Sequence, residues 1–215
     1  IGNNAIKSDG TSTAAAAGTV AGTIRANTTA LQTFTVQGNG TTSTYAAAAG
    51  ASAYAIAQGI NAASGSTGVS ATATTTATLS AFTAGSQSFT IQGAPKADGS
   101  ANPVTVTATM ATATDVGGLA AAINAQSGVT GINAIADTAT GKISLTQSQG
   151  YDIGVTNNLT ANNSTTLTGA SGAGVALVRG ATNAAAVGDS ATVGGSLAFN
   201  SSGSFTVGTS AAGTV

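Results

Sequence analysis

The stretch Phe34-Thr35-Val36-Gln37-Gly38 returns 55 residues later as Phe89-Thr90-Ile91-Gln92-Gly93, and that return decides how the chain is read. In both runs apolar residues alternate with Thr and Gln, the period of two that puts one face of a β-strand on a core. Farther along, Ile60-Asn61-Ala62 returns as Ile123-Asn124-Ala125, now 63 residues later. The match continues without a gap: Ser64-Gly65 with Ser127-Gly128, Thr67-Gly68 with Thr130-Gly131, Val69 with Ile132, Ala71 with Ala134, and Ala73 with Ala136. Self-similarity on this scale marks one supersecondary unit used twice. The two offsets, 63 and 55, differ by eight, so the second copy carries eight extra residues. They are expected near Ala94-Pro95-Lys96-Ala97-Asp98-Gly99, where Pro and Asp-Gly signal a lengthened hairpin loop.

Each copy reads as strand, strand, helix, strand, strand. After the loop of the second copy, Val104-Thr105-Val106-Thr107 alternates again; in the first copy the equivalent stretch dissolves into Thr and Ala, and the strand signal weakens. Ile56 with Ile60, and Leu119 with Ile123, stand four residues apart, on one face of a helix. Ser52 and Asp115 are the expected N-caps, since a short side-chain oxygen can accept a free amide of the first turn. Ser-Gly at 64–65 and at 127–128 is the expected helix stop. Gly131 to Ile135 and Lys142 to Thr146, joined through Thr140-Gly141, then Gly150 to Val155, complete the second copy. Toward the C-terminus, Val175 to Val178, Leu197 to Phe199 and Ser204 to Gly208 are strand-like, and the last resembles the opening of a third copy.

Composition excludes most enzyme chemistry. Among 215 residues, 48 are Ala and 30 Gly, only 5% are charged, and His, Cys, Trp and Glu are absent. A base poised near neutral pH is usually His or Glu, a thiolate nucleophile needs Cys, and transition-metal sites are built mainly from His and Cys. Leu, Ile, Val and Phe number only 38, a low count for a globular chain, but disorder also calls for high net charge, and here it is −1. With 42% hydrophobic residues the chain can close a thin core, layered from Ala and Thr between sparse aliphatic anchors. No window approaches the ~18 unbroken large apolar residues of a membrane helix. Lys7, Arg25, Lys96, Lys142 and Arg179 stand singly, so no basic run exists to neutralise a nucleic acid. Cysteine-free, hydroxyl-rich composition leans toward an extracellular protein. The start, Ile1-Gly2-Asn3-Asn4, has neither Met nor a signal-peptide pattern, so the chain is read as an excised or processed piece.

A Phe-Thr-(Val/Ile)-x-Gly strand comes first, then a helix ending in Ile-Asn-Ala, then Ser-Gly and a Thr-Gly-(Val/Ile)-x-Ala strand. Gly-Lys-Ile-Ser-Leu-Thr and Gly-Tyr-Asp-Ile-Gly-Val follow. This order resembles the "IN" motif of bacterial flagellins and hook-associated proteins. The copy over 89–155 matches throughout; the one starting at 34 matches through Ala73 and then loses the Gly-Lys-Ile strand. The resemblance implies a variable outer region, displayed on the filament surface between two halves of a helical core. The long heptad helices of that core have no counterpart here, so the polymerisation and immune-receptor surfaces they carry are not expected in this piece. A nearly uncharged, hydroxyl-rich surface suits subunits crowded on a filament, because mutual repulsion stays small while Thr, Ser and Asn hold water.

The remaining constellations have plain readings. Asp98-Gly99 and Asp9-Gly10 lack the Asp-x-Asp spacing of a calcium loop and are expected to form turns. Gly117-Gly118 before a helix lacks the lysine and glycine spacing of a phosphate cradle and is expected to serve backbone freedom. Lys142 and Asp152 are expected as a solvated pair on neighbouring strands, worth about 0–1 kcal/mol. Arg179 is expected to mark the exposed end of a strand, and no serine stands out for a Ser/Lys dyad. Asn-x-Ser/Thr triplets at Asn27, Asn39, Asn158, Asn162, Asn163 and Asn200 are expected by chance in so Ser/Thr-rich a chain. The flagellin resemblance points instead to O-linked sugar on Ser or Thr.

The expected fold is α+β: two related modules of antiparallel β-strands, each with a short helix, flanked by additional strands. Residues 1–85 are expected to hold the first module with an N-terminal flanking strand, 86–156 the second module, and 157–215 strands returning to pack on the first. The ends of an inserted region should lie close together. The expected function is a non-catalytic outer domain of flagellin, without catalytic, cofactor or metal residues, outside the cell. Its partners are other copies of the subunit in a filament, with host glycans or antibodies meeting its surface and no nucleic acid or membrane. The alternative is a hook-associated or adhesin-type binding module using the same motif. A zinc peptidase inserted in a filament is excluded by the lack of His.

Overall fold

The computed structural model describes residues 5–6, 13–14, 24, 26–159, 164–170, 172, 174–178 and 189–210. Every strand pair among them is antiparallel, and four short helices join the strands, an α+β architecture. Two short strands come first, β1 (Ala5–Ile6) and β2 (Thr13–Ala14). The first copy opens with the hairpin of β3 (Gln32–Gly38) and β4 (Thr41–Ala47). At its tip Asn39 and Gly40 have φ of +50° and +72°. Two central residues at positive φ make a tight turn whose twist suits a hairpin, and Asn-Gly is its preferred sequence. So the stretch where the sequence signal weakens forms a full seven-residue strand, held by its turn.

Helix α1 (Ala53–Asn61) follows, with Ser52 as N-cap: its Oγ accepts from the Ala55 N–H at 3.3 Å. Ser64-Gly65 is not the stop but the start of a second short turn, α2 (Ser64–Thr67). The stop is Gly68, at φ +66°, whose N–H donates to the Ser64 carbonyl. The chain then enters the long β5 (Val69–Ser80).

The second copy runs β6 (Gly85–Gln92), β7 (Val104–Met110), α3 (Gly117–Asn124), α4 (Ser127–Thr130), β8 (Ile132–Asp137), β9 (Lys142–Gln147) and β10 (Ile153–Asn157). Its helices repeat the first copy, with Gly131 at φ +67° as the stop. Asp115 is not the N-cap. The helix starts two residues later, and the Asp115 carboxylate accepts from the Ala111 N–H at 3.1 Å, tying down the chain that leads into it. Ser43 faces Val36 as Val104 faces Ile91, so six of the eight extra residues lengthen the hairpin loop and the other two lie between β7 and α3.

Beyond it lie β11 (Ser164–Gly169), β12 (Gly174–Val178), β13 (Ser190–Val193), β14 (Ser196–Ser201) and β15 (Phe205–Thr209). The last two finish the first copy. In the second copy β9 pairs with β8, Ile132 opposite Gln147 and Ala134 opposite Leu145. In the first copy β14 pairs with β5 in the same register, Val69 opposite Ser201 and Ala71 opposite Phe199. Likewise Val155 of β10 faces Ile91 of β6, and Val207 of β15 faces Val36 of β3. Ser204 to Gly208 is therefore the closing strand of the first copy and not the opening of a third. The Gly-Lys-Ile strand that the first copy loses is supplied by 196–201, and the whole second copy sits in the interruption.

Strand β5 serves both copies. Its residues Val69 to Thr74 pair with β14, while Thr75 to Leu79 pair with β9 of the second copy and Ala77 to Ser80 with β11. Strand β13 extends the second copy by pairing with β10. Two cores result. One holds Phe34, Ile56, Ile60, Leu197 and Phe199, the other Phe89, Leu119, Ile123, Leu145 and Ile153. The helix pairs spaced by four are buried as their spacing implies.

Candidate functional site

The Ile-Asn-Ala asparagine does the same thing in both copies. Asn61 Nδ2 donates to the Ala71 carbonyl at 2.8 Å, and the Ala71 N–H donates to Asn61 Oδ1 at 2.7 Å. Asn124 makes the same pair with Ala134, at 2.8 and 2.7 Å. The amide offers a donor and an acceptor side by side, so it can meet both groups of one backbone residue. It staples the helix end to the strand that follows. Asp in its place could not donate, and Gln would overreach.

The neighbouring motif residues complete this corner. Thr67 Oγ1 donates to the Ala63 carbonyl at 3.0 Å and accepts from the Val69 N–H at 3.3 Å. Thr130 does the same with Gln126 and Ile132, at 3.0 and 3.1 Å. The glycine ending each Phe-Thr-(Val/Ile)-Gln-Gly run lies under that threonine: a Cβ on Gly38 would meet the Thr67 carbonyl oxygen, and one on Gly93 the Thr130 carbonyl oxygen. The repeated Asn, Thr and closing Gly of the motif thus each have a packing task, whereas the repeated Gly65 and Gly128 have nothing close to them.

The two copies meet at Gly150-Tyr151-Asp152. Gly150, at φ +85°, lies so close to Ala73 of β5 that no side chain fits there. Its carbonyl accepts from the Tyr54 N–H at 2.9 Å, satisfying an amide in the first turn of α1. Tyr151 stacks on Tyr54 with ring centroids 4.1 Å apart. Burial pushes the Tyr151 hydroxyl up to about 12, so it stays protonated. Asp152 Oδ2 accepts from Asn27 Nδ2 at 2.7 Å, and the same Nδ2 donates to the Ala51 carbonyl at 3.2 Å. Asp152 Oδ1 is buried without a partner. Burial pushes this carboxyl up to about 6, against the opposing pull of the Asn27 hydrogen bond. Beside it lies a cleft of about 430 Å³ lined by both copies and by the extended loop, including Ser52, Gln92, Pro95 and Tyr151.

Other residues singled out in the sequence fall as follows. Lys142 faces Asp137 across the β8–β9 hairpin, while Asp152 is held by Asn27, so the expected Lys142–Asp152 pair is not formed. Asp98 accepts from the Ser100 N–H at 2.9 Å and its hydroxyl at 2.6 Å, bonds that hold its carboxyl below the usual range in a turn. Asp137 does the same with the Thr140 hydroxyl and amide. Gly117 and Gly118 open α3 with nothing packed against them. Of the triplet asparagines, Asn27 is buried in the joint, Asn39 turns the first hairpin, Asn158 bonds Thr90, and Asn200 is exposed on β14. Asp9-Gly10, Arg179, Asn162 and Asn163 lie outside the described residues.

Among the described residues there is no group of three His, Cys, Asp or Glu side chains able to hold a metal, and no helix long and apolar enough to cross a membrane. Comparison with curated proteins returns no match. Comparison with family models returns one described as "Flagellin hook IN motif", matched at residues 33–85 and again at 88–149. The matches cover more than half of the chain and coincide with the two stapled corners. The chain therefore belongs to the flagellin hook IN motif family, with two copies of the motif, as a flagellin-family structural protein of the flagellum whose relatives self-associate into filaments.

Proposed function

We propose that the chain forms a surface-exposed outer domain of a flagellar filament subunit, outside the cell and without catalytic, cofactor or metal function. One observation carries this reading. Thr33 N–H donates to Ser210 Oγ at 2.8 Å, and Ser210 N–H donates to the Thr33 carbonyl at 3.0 Å. Strands β3 and β15, which open and close the first copy, thus end side by side, which supports a module held at one corner; the chain's own ends, 1–4 and 211–215, lie outside the described residues. In this reading 1–85 carries the first module beside the host, 86–156 the second module farther out, and 157–215 the returning strands. The outward residues Ser70, Thr72, Thr74 and Thr76 of β5, and Ser144 of β9, give a neutral, hydrated face. That face suits close-ranked neighbours. Its hydroxyls are also where O-linked sugar would attach, and where host glycans or antibodies would meet the filament.

Immunogold labelling with antibodies raised against this chain tests the proposal. Label along the whole shaft is the expected result. Label confined to the hook junction or the tip would overturn it in favour of a hook-associated role, the reading that the word "hook" in the matched family's description favours.

A further inference from the structure

The joint between the copies gathers the side chains that an oxidant would attack. His, Cys and Trp are absent, tyrosines number three, and the lone methionine, Met110, is 1% exposed. Cysteine and methionine sulfur are the usual first targets of oxidation. With neither on offer, the groups that give up an electron most readily are the phenols. Tyr45 packs against Gly59 of α1. Tyr54 and Tyr151 stack on each other across the joint, with ring centroids 4.1 Å apart and planes inclined by 26°.

The backbone fixes where these two rings sit. The Tyr54 N–H donates to the Gly150 carbonyl at 2.9 Å, which ties the residue before Tyr151 to the first turn of α1. The Tyr151 N–H donates to Oε1 of the buried Gln147 at 3.0 Å. Gly150 is pressed against Ala73 on its other side. The Tyr151 hydroxyl is pushed up to about 12 by burial first and then by the Tyr54 hydroxyl beside it. The oxygen ends of the stack therefore lie together, and with them the Cε carbons next to each oxygen. Both residues are only half-buried, so an oxidant can reach them.

We infer that Tyr54 and Tyr151 are an oxidative cross-linking site, at which hydrogen peroxide and a one-electron peroxidase join the two copies through a dityrosine bond. Each phenol gives up one electron and its proton, and the two phenoxyl radicals couple Cε to Cε. The hydrogen on each joined carbon then moves to its oxygen and restores the ring. Two hydrogen atoms leave the protein, and the peroxide takes them up to become two molecules of water. The bond ties α1 of the first copy to the segment ahead of β10 in the second. It closes a loop between positions 97 apart, 151 minus 54, and so restricts the unfolded chain as a disulfide would. This goes beyond the outer-domain reading and does not depend on it, because the reaction belongs to the chain itself.

The test treats the folded chain, at low micromolar concentration, with peroxidase and one equivalent of hydrogen peroxide under conditions that couple free tyrosine. Dityrosine fluorescence should appear on monomer, and peptide mass mapping should find Tyr54 joined to Tyr151 with two hydrogens lost. Rings already in contact couple without a diffusional encounter, so this product should exceed cross-linked dimer by about tenfold or more. Tyr54→Phe and Tyr151→Phe keep both rings but remove one phenol, and each should abolish the monomer product, whereas Tyr45→Phe should keep it. No dityrosine on monomer, product confined to dimers, a monomer bond that joins Tyr45, or one that survives Tyr151→Phe would each overturn the inference.

Discussion

Replacing Asp152 by Asn removes the one buried carboxylate of the joint, and the effect should be a change in how stability depends on pH. Burial raises the Asp152 pKa to about 6 from 3.8. For a group raised in the folded state, the contribution to stability is fully present below the unfolded value and is lost as pH rises through the folded one. In the wild type this contribution should therefore be full only below about pH 3.8 and be lost as pH rises to about 7. The shift corresponds to at most about 3 kcal/mol at ~1.36 kcal/mol per unit. Water in the adjoining cleft screens the charge, which brings the expected loss to about 1–2 kcal/mol. Asp189 is also buried, but it is the same in wild type and variant, so the difference between their slopes isolates Asp152. The chain has no His, and Asp98 and Asp137, whose pKa values are lowered, lose their contribution only below the ordinary carboxylate range. Urea unfolding at several pH values reads the slope directly, and Asp152→Asn should flatten it. A wild type whose stability rises with pH over this range, or an equal slope in the variant, would refute the account of the joint.

Three further outcomes follow from the stapled corners and the interruption. Asn124→Ala leaves a buried amide and carbonyl of Ala134 without their partner and should cost about 1–3 kcal/mol by chemical denaturation, with Asn61→Ala costing a similar amount. Gly93→Ala forces a methyl against the Thr130 carbonyl and should cost about 1–3 kcal/mol in the same assay, whereas Gly128→Ala, where nothing lies nearby, should be tolerated. A small folded domain inserted at Thr138–Thr140 should leave the thermal midpoint nearly unchanged, because the equivalent junction of the first copy, between Thr74 and Ser196, already accommodates one.

Local chemistry was legible in the sequence wherever one residue and its near neighbours decide the outcome. Ile56 with Ile60 and Leu119 with Ile123 showed their helix faces, and Thr140-Gly141 showed its hairpin. Asn39-Gly40 was equally legible as a turn, and reading it so would have placed β4. Partners were another matter. Alternation in Val69 to Ser80 shows a strand with two faces, but nothing local says that half of it pairs with residues 196–201 and half with β9. The Lys142–Asp152 expectation failed for the same reason, since Asp152 is claimed by Asn27, 125 residues away. The staple itself lies in the Ile-Asn-Ala repeat, yet its role appears only when the helix end and the strand are seen side by side.

The interruption of the first copy also sets an order of assembly. Every pairing inside the second copy joins residues from one unbroken stretch, so it can form early and locally. The first copy closes only when residues as far apart as Thr33 and Ser210, 177 positions in sequence, are brought together. The half of the sequence that is written first is thus the half completed last, and until then β3 and β5 stand as open templates. Slow closure would leave those templates available to strands of other chains, so the rate at which residues 196–209 arrive governs the yield of correctly folded protein.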